Sequence, residues 1–405
     1  MPSRYRWVVL AVSVVAFLQT HLHRLGFAPL IPTFVADLGL GYAAAGTIQT
    51  AYFWTYTVVQ VPVGVVADRW GARRVMAACM GVLALGAVAF ALSGSFAAAV
   101  GARMLVGLGA AAVWVPAMRL VSEWFPAGER ARATGLVSAG GAVGGTLGLL
   151  VVPWVAAVVG WRWAYGLTAL PALLTLVLVA ALVRPGPAAA VTPSMGASLG
   201  RVLRTGRLWP FNLMVFFSYG AYFSFLTFLP AFLVAGLGAS GPQAGLITGL
   251  ITAGTIVSWP LAGWVSDRRG RRKPLTLASQ AAGALASVAF ALLVPRLDLL
   301  GAGLTALAAG LLVGGMILPF VMVVELFPPH LAATAAGVAN TACFVGGMIL
   351  PIVLGWIADV TGGFTASFLL AAALQAVAFI CGLLLTETGR PGAGGSRVDS
   401  RTAAS

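Results

Sequence analysis

An arginine lies deep within the first long apolar segment of the chain. That segment covers residues 7–35, and Arg24 lies about 17 residues into it, or about 25 Å along a helix axis. If the segment spans a membrane, a charge at that position is costly and indicates a function. A guanidinium binds a carboxylate or a phosphate through two parallel hydrogen bonds. We therefore predict that Arg24 binds an anion, the alternative being that its side chain extends to the outer membrane interface.

A histidine lies one helical turn before this arginine. His21 precedes Arg24 by three residues, so both lie on one face of the helix. His21 can hydrogen-bond a substrate or carry a coupling proton near neutral pH, and a structural polar contact is the alternative. His23 points about 100° away and is the weaker candidate for either role.

A few further polar side chains interrupt the apolar segments. Tyr56 lies in the second segment, Tyr219 and Tyr222 are spaced i, i+3 in the seventh, and Asn340 is the one amide in the eleventh. They are candidates to line a cavity wall, and ordinary packing between helices is the alternative.

The catalytic motifs of enzymes are missing from these segments. No Asp or Glu lies in the middle of an apolar segment, and the three cysteines are isolated from one another. The segments contain no HExxH, no Ser-x-x-Lys and no paired carboxylates. We predict no enzyme activity, no bound metal and no cofactor.

The composition is that of an integral membrane protein. Of 405 residues, 60% are hydrophobic and 8% are charged, whereas about 25% are charged in soluble domains. The net charge of +14 is dispersed over short loops and not gathered on one helix, so it does not indicate nucleic-acid binding.

Apolar segments of about 20 residues follow one another along the chain, and in lipid they must be helical. We predict an all-α membrane protein with twelve transmembrane helices. Their expected limits are 7–35, 43–66, 75–93, 97–122, 132–158, 163–183, 209–235, 243–265, 274–294, 299–324, 333–357 and 364–386.

Lys and Arg residues are distributed unevenly between the connecting segments. With the N-terminus inside, nineteen of them fall in inner segments and only Arg162 and Arg296 fall in outer loops. The positive-inside rule therefore predicts a multi-pass protein of the cell (inner) membrane with both termini in the cytoplasm.

The chain contains an internal repeat. Residues 64–74 read GVVADRWGARR and residues 263–273 read GWVSDRRGRRK. Glu123, Gly135, Gly144, Gly145 and Trp154 recur as the same residue types 202 positions later, from Glu325 to Trp356. This pattern predicts two pseudo-symmetric six-helix halves with a cavity between them. The expected divisions are an N-terminal half over 1–184, a cytoplasmic linker over 185–208, a C-terminal half over 209–388 and a disordered tail over 389–405.

These motifs resemble those of the major facilitator superfamily over essentially the whole chain. The Gly-x-x-x-Asp-Arg-x-Gly-x-Arg-Arg loop is its most specific signature, and the Arg103 motif with Gly107 and Gly109 is similar to its second motif. The resemblance implies that both loops belong to a cytoplasmic gate, with loop arginines pairing with Glu123 and Asp267 pairing with Arg271. The gate candidates are Asp68, Arg69, Arg73, Arg74, Glu123, Asp267, Arg268, Arg271 and Glu325. Arg119 is expected to form a salt bridge with Glu123, one turn later on the same helix.

Within the superfamily, four stretches are similar to the organic anion carriers: residues 23–40, 53–64, 124–135 and 222–230. This resemblance implies that Arg24 contacts the substrate anion and that Tyr56 contacts the substrate. The seventh segment lacks the second arginine of the sugar-phosphate antiporters, which favours a monoanion.

The sequence thus predicts a monomeric secondary transporter that moves a small organic anion, such as a carboxylate or a sugar acid, by alternating access. Taking an anion into a cell costs about 2.3 kcal/mol per charge at 100 mV, so uptake needs a co-moving cation or an exchanged anion. A proton or sodium ion is the candidate coupling ion, with His21 as the coupling residue. The remaining alternatives are a drug or metabolite efflux carrier and a non-transporting sensor of the same fold.

Overall fold

The computed structural model describes residues 4–186 and 196–388, which are almost entirely helical and contain no strand. Short 3-10 turns connect some of the helices. The α-helices are α1 Tyr5–Leu25, α2 Ile31–Leu38, α3 Tyr42–Trp70, α4 Ala72–Ala91, α5 Phe96–Trp124, α6 Ala127–Leu167, α7 Ala169–Leu182, α8 Gly196–Leu203, α9 Trp209–Leu237, α10 Gly241–Arg269, α11 Lys273–Leu292, α12 Leu299–Leu312, α13 Leu318–Leu326, α14 Pro329–Thr361 and α15 Thr365–Leu383.

These helices form twelve membrane spans. Ten segments of the described chain are long and apolar enough to cross a membrane. One of them, Arg132–Leu182, has 51 residues and contains two spans, because about 20 residues suffice for one crossing. The division falls at Gly160, whose φ of 82° is open to glycine but rarely to other residues. Helix α3, with 29 residues, is the twelfth span. The predicted all-α architecture of twelve spans is confirmed.

The first predicted span, 7–35, is one span of the structure, Tyr5–Leu38, but a short 3-10 turn interrupts its α-helix. Helix α1 ends before Gly26, and a 3-10 turn over Ala28–Leu30 precedes α2. Pro29 and Pro32 lie in the first turns of the two elements that follow the break, where a missing N–H leaves no helical hydrogen bond unmade. The break places Arg24 in the last turn of α1.

The helices pack into two bundles that correspond to the two sequence repeats. Helices α1 and α3–α7 contact one another, as do α9–α15, and the bundles meet where α3 packs on α14 and α6 on α10. Glycines permit this close approach. A Cβ atom at Gly46 would lie 2.7 Å from the Pro351 carbonyl oxygen, and one at Gly245 would lie 2.2 Å from that of Leu149.

The exact division into domains remains a prediction. Most of the predicted linker, 187–195, and the predicted disordered tail from residue 389 lie outside the described residues. Helix α8, Gly196–Leu203, lies where the sequence analysis places the linker.

The bundles are joined at the end where α3 begins and α14 ends, which we call the outer end. The Asp359 carboxylate accepts hydrogen bonds from the backbone N–H groups of Tyr42, at 2.7 Å, and Ala43, at 2.8 Å. The Tyr42 ring packs against Phe364 and Phe228 of the other bundle, with ring centroids 4.7 and 6.2 Å away. A carboxylate of one half thus caps a helix of the other half.

The opposite end, where α3, α5 and α10 end, is called the inner end. Phe344 of α14 is buried, but Asn340 and Thr341, one turn closer to the inner end, are exposed. Nothing lies within 4 Å of the positions that Cβ atoms would take at Gly135 and Gly337. The structure is therefore closed at the outer end and open toward the inner end.

Candidate functional site

Arg24 lies at the bottom of the inner opening and not at a membrane interface. It is 7% exposed, and its backbone carbonyl accepts a hydrogen bond of 2.9 Å from the Gln49 side chain on α3. The close approach of α6 to α1 positions this turn, because a Cβ atom at Gly148 would lie 2.6 Å from the Leu22 carbonyl oxygen. The guanidinium faces α3 and α14.

Four aromatic rings surround this guanidinium. Its central carbon lies 5.5 Å from the centroid of Tyr52, 5.7 Å from Phe53, 5.0 Å from Tyr56 and 5.4 Å from Phe344. Tyr52, Phe53 and Tyr56 come from one stretch of α3, and Phe344 comes from α14 in the other half. We call these four residues the aromatic enclosure. Rings at this distance attract a cation through their π faces.

Two donors of the guanidinium make no hydrogen bond of good geometry in the described structure, although the Tyr52 and Tyr56 side chains interact with the group. Arg24 Nε and Nη2 are both buried and unpartnered, whereas Nη1 lies 3.3 Å from His21 Nε2. Nε and Nη2 present N–H groups along one edge of the guanidinium, which is the edge that holds a carboxylate by two parallel hydrogen bonds. An unmade bond at a buried donor costs about 1–3 kcal/mol, so this edge favours an incoming anion.

The contacts of His21 define its protonation. Because arginine can only donate, His21 Nε2 must accept the hydrogen bond from Arg24. Thr20 Oγ1 donates to the Phe17 carbonyl at 2.8 Å, so it accepts from His21 Nδ1, which is 3.0 Å away. These contacts fit a neutral imidazole with its proton on Nδ1.

Arg103 and His23, by contrast, have structural partners. Arg103 is fully buried and donates to the His23 carbonyl oxygen at 2.8 Å, the Tyr165 hydroxyl at 2.6 Å and Gln49 Oε1 at 3.1 Å. His23 Nδ1 lies 2.8 Å from the Gln19 carbonyl oxygen, and its Nε2 bonds a threonine hydroxyl. Both side chains tie α1 to its neighbours.

The other predicted binding residues lie around the same opening. Tyr56 belongs to the aromatic enclosure, and Phe223 of α9 connects Phe53, 5.2 Å away, to Tyr219 and Tyr222 at 6.2 and 6.0 Å. Asn340 lies one turn below Phe344 on α14. The sequence analysis missed Tyr52, Phe53 and Phe344, and only the clustering of aromatics at 52, 53 and 56 signals the first two.

The gate residues of the N-terminal half make contacts that differ from those expected. Glu123 pairs with Arg119, whose Nε lies 2.8 Å from Oε1, as expected. Arg73, however, donates to the Ala180 carbonyl oxygen and not to Glu123. Arg69 and Arg74 are exposed. The Asp68 side chain lies outside the described structure.

The corresponding residues of the C-terminal half form an ion-pair network. Arg272 contacts Asp267 at 3.0 Å and Glu325 at 2.6 Å, and Glu325 holds the pKa of this guanidinium above its usual value. The predicted pairing of Asp267 with Arg271 is wrong, because Arg271 is exposed while its neighbour turns inward. Arg268 lies over the Trp264 ring at 4.0 Å.

A short segment follows the last span of each half, and we call these two segments, which contain Gly186 and Thr388, the straps. Each strap hydrogen-bonds the glutamate that occupies the corresponding position of its repeat. The Gly186 backbone N–H donates to Glu123 at 2.9 Å, and Thr388 Oγ1 donates to Glu325 at 2.7 Å. Glu325 follows Glu123 by 202 positions, and Thr388 follows Gly186 by the same number. In the second half, Glu387 also accepts from the backbone N–H of Arg272 at 2.8 Å, at the start of α11.

The site is built around one cationic side chain. Among the described residues, no group of His, Cys, Asp and Glu side chains is arranged to hold a metal. A single cationic group with free donors lies between two helical halves that are open at one end. These are the features of a membrane transporter whose ligand site lies between its two halves.

Comparison with known proteins gives the family. The family model of the Major Facilitator Superfamily matches residues 9–351 and, in a second match, 211–402. The chain belongs to this superfamily and is a transporter, not an enzyme.

Several curated relatives match nearly the whole chain. A probable sulfoacetate transporter of Cupriavidus necator is 24% identical, over 94% of each chain. The hexuronate transporter of Bacillus subtilis is 26% identical, over 93% of this chain and 94% of its own. A probable nitrate/nitrite transporter of Mycobacterium tuberculosis is also 26% identical, over 91% of this chain and 92% of its own.

A solved structure shares the fold. A bacterial homolog of the human lysosomal transporter Spinster, in an inward-facing and unoccupied conformation, superposes with a TM-score of 0.82 at 17% identity. The match covers 95% of this chain and 98% of that one.

Proposed function

We propose that this transporter carries a small organic monoanion across the inner membrane by alternating access, with Arg24 as its anion-binding residue. The observation that carries this proposal is the pair of unpartnered donors, Nε and Nη2, on a buried guanidinium at the bottom of the opening. A probable sulfoacetate transporter and a hexuronate transporter among the relatives support an organic anion as the substrate class, and the single charge is proposed from the single available guanidinium.

The position between the two halves supports the mechanism. Rings from both halves surround Arg24, so rocking of one half against the other exposes the site to one end at a time. The predicted orientation places the inner end in the cytoplasm. The loops around Asp68 and Asp267 would then close the cytoplasmic side in the other conformation.

His21 is proposed as the coupling residue. Its Nε2 accepts from Arg24 in the neutral state, so a proton added there breaks this bond and frees Arg24 Nη1. The second positive charge favours the anion, and the proton and the anion then bind together. In proteoliposomes, an inward proton gradient should accumulate substrate through the wild type but not through His21→Gln. If a sodium gradient drives uptake instead, the coupling ion is sodium.

The first test is ligand-induced thermal stabilisation of the purified protein with carboxylates, sugar acids, phosphates and cationic drugs. We expect one class of anion to stabilise the wild type and to lose that effect in Arg24→Ala. Arg296→Ala, at an exposed arginine of an outer loop, is the control and should respond like the wild type. Stabilisation by drugs regardless of Arg24 would contradict the proposal and favour an efflux carrier.

A flux measurement separates transport from sensing. Radiolabelled substrate should enter proteoliposomes that contain the wild type and should not enter those that contain Arg24→Ala. Ligand binding by the wild type without any flux would instead support a non-transporting sensor of this fold.

A further inference from the structure

The surroundings of Arg24 also restrict the body of its substrate, provided that Arg24 binds the anion as proposed. Beyond the aromatic enclosure, Phe17 lies between His21 and Trp114, with centroid distances of 4.5 and 4.9 Å. Phe223 continues the aromatic surface from Phe53 toward Tyr219 and Tyr222. Aromatic rings from five helices thus lie around Arg24 or continue the surface formed by the rings that contact it.

Several polar groups near the site already have partners within the protein. The Tyr52 hydroxyl donates to the Thr20 carbonyl at 3.2 Å, and the Tyr219 hydroxyl donates to the Met316 carbonyl at 3.2 Å. Thr55 Oγ1 donates to a backbone carbonyl at 2.7 Å. These three hydroxyls have used their donors, so the oxygen atoms of a substrate rich in hydroxyl groups would find few donors here, which is unfavourable.

A flat apolar body fits these surroundings better. Aromatic groups stack on rings with centroids about 4.5–7 Å apart and gain affinity from that geometry. Arg24 supplies the one positive charge beside the aromatic enclosure that is available to a ligand. The donors of Arg103 already bond carbonyl, hydroxyl and amide oxygen atoms of the protein.

We infer that the substrate is a monoanion with a planar, apolar body, such as an aromatic carboxylate or sulfonate, and that Phe344 determines this specificity. The anionic group is held by Arg24 Nε and Nη2, and the body stacks on the rings around it. Phe344 now lies 5.1 Å from Tyr56 and covers Arg24 from the C-terminal half. It must turn aside to admit the substrate and then stack against it.

The probes are sodium benzoate, sodium cyclohexanecarboxylate and sodium D-glucuronate, which are monoanions with a flat, a puckered and a hydroxyl-rich body. Their dissociation constants are measured by isothermal calorimetry on the purified full-length protein. We expect benzoate to bind wild type more tightly than the other two. Benzoate binding should be lost in Arg24→Ala.

The role of Phe344 is tested by Phe344→Leu, which keeps an apolar side chain without a ring. We expect it to weaken benzoate binding about three- to tenfold, the factor that one ring-stacking contact contributes, and to change cyclohexanecarboxylate binding little. Phe344→Tyr keeps the ring and should bind benzoate like the wild type. Phe290→Leu removes a fully buried ring that packs on Phe225, away from Arg24, and is the matched control.

Each contrary outcome has a distinct meaning. Arg24-dependent binding of glucuronate without binding of benzoate would overturn this inference and leave the proposed function intact. Equal losses of benzoate affinity in Phe344→Leu and Phe290→Leu would also overturn it. If no anion binds in an Arg24-dependent way, both the inference and the proposed function fail. The comparison of the three probes on the wild type decides the question even if Phe344→Leu does not fold.

Discussion

Arg24 and Arg103 are both buried arginines that contact Tyr52, yet their hydrogen bonding differs. Arg103 donates to several oxygen atoms of α1, α3 and Tyr165, whereas Arg24 keeps two donors unpartnered. A protein gains nothing in stability from an unmet buried donor, so we attribute one arginine to the fold and the other to the ligand.

This difference predicts opposite effects of one substitution at the two positions. Arg24→Met should raise the free energy of unfolding of the ligand-free protein by about 1–3 kcal/mol, because it removes unpartnered buried donors. Arg103→Met should lower it by at least a similar amount, because it leaves buried oxygen atoms without partners. Thermal and denaturant unfolding in detergent measures both. A loss of stability in Arg24→Met would contradict the assignment.

The sequence predicts the charged part of the site but not its aromatic part. Arg24 and His21 interrupt an apolar segment, and this is visible without knowledge of the packing. Phe344 is one of 21 phenylalanines, and its distance from Arg24 depends on how α14 lies on α3. The glycine contacts at Gly46 and Gly355 fix that alignment, and no local pattern reveals it.

At the scale of helices, the position of α3 depends on a glycine of α5. A Cβ atom at Gly107 would lie 2.1 Å from the Tyr52 carbonyl oxygen and 2.5 Å from Thr55 Oγ1. Both atoms belong to the stretch of α3 that supplies three rings of the aromatic enclosure. Gly107 therefore allows α3 to lie close to α5, which determines the position of these rings relative to Arg24.

We expect Gly107→Ala to displace α3 and to lower the free energy of unfolding by about 1–3 kcal/mol, as overpacking does. It should also weaken anion binding, which ligand-induced stabilisation measures. Gly101→Ala is the control on the same helix, because nothing lies within 4 Å of its Cβ position. That change should be neutral or stabilising by up to about 1 kcal/mol. Equal effects of both substitutions would refute the role of Gly107.

The break in the first span shows why element boundaries are harder to predict than elements. Hydropathy is continuous across the break, and proline alone does not mark it. Within the described chain, prolines lie inside continuous helices at Pro62, Pro230, Pro260 and Pro351. Neighbouring helices decide which prolines interrupt a membrane helix, so the break after Arg24 requires the packed structure.

At the scale of the whole molecule, the structure is closed at one end and open toward the other, which is one of the two conformations that the proposed alternating access requires. The halves contact each other at the outer end through Asp359 and separate toward the inner end at Asn340. The sequence predicts the two halves from the repeat, but repeats alone do not indicate which end is closed.

Removing the outer contact should favour the other conformation. Asp359→Ala deletes a helix cap worth about 0.5–2 kcal/mol that joins the two halves. Spin labels at Ala36 and Val360, in a protein whose three native cysteines are replaced, should then report longer distances across the outer end. Asp298→Ala is the matched control, since Asp298 caps α12 within one half, accepting from Gly301 at 2.8 Å. Unchanged distances in Asp359→Ala would refute this latch.

The two straps have a practical consequence for anyone who attaches a reporter to this protein. A fluorescent protein fused directly after Leu384 would delete Glu387 and Thr388, which bond the start of α11 and Glu325. A fusion after Thr388 retains both contacts. The two fusions differ by four residues. We expect the shorter one to perturb the inner end, so that its fluorescence would reflect a change that the fusion itself caused.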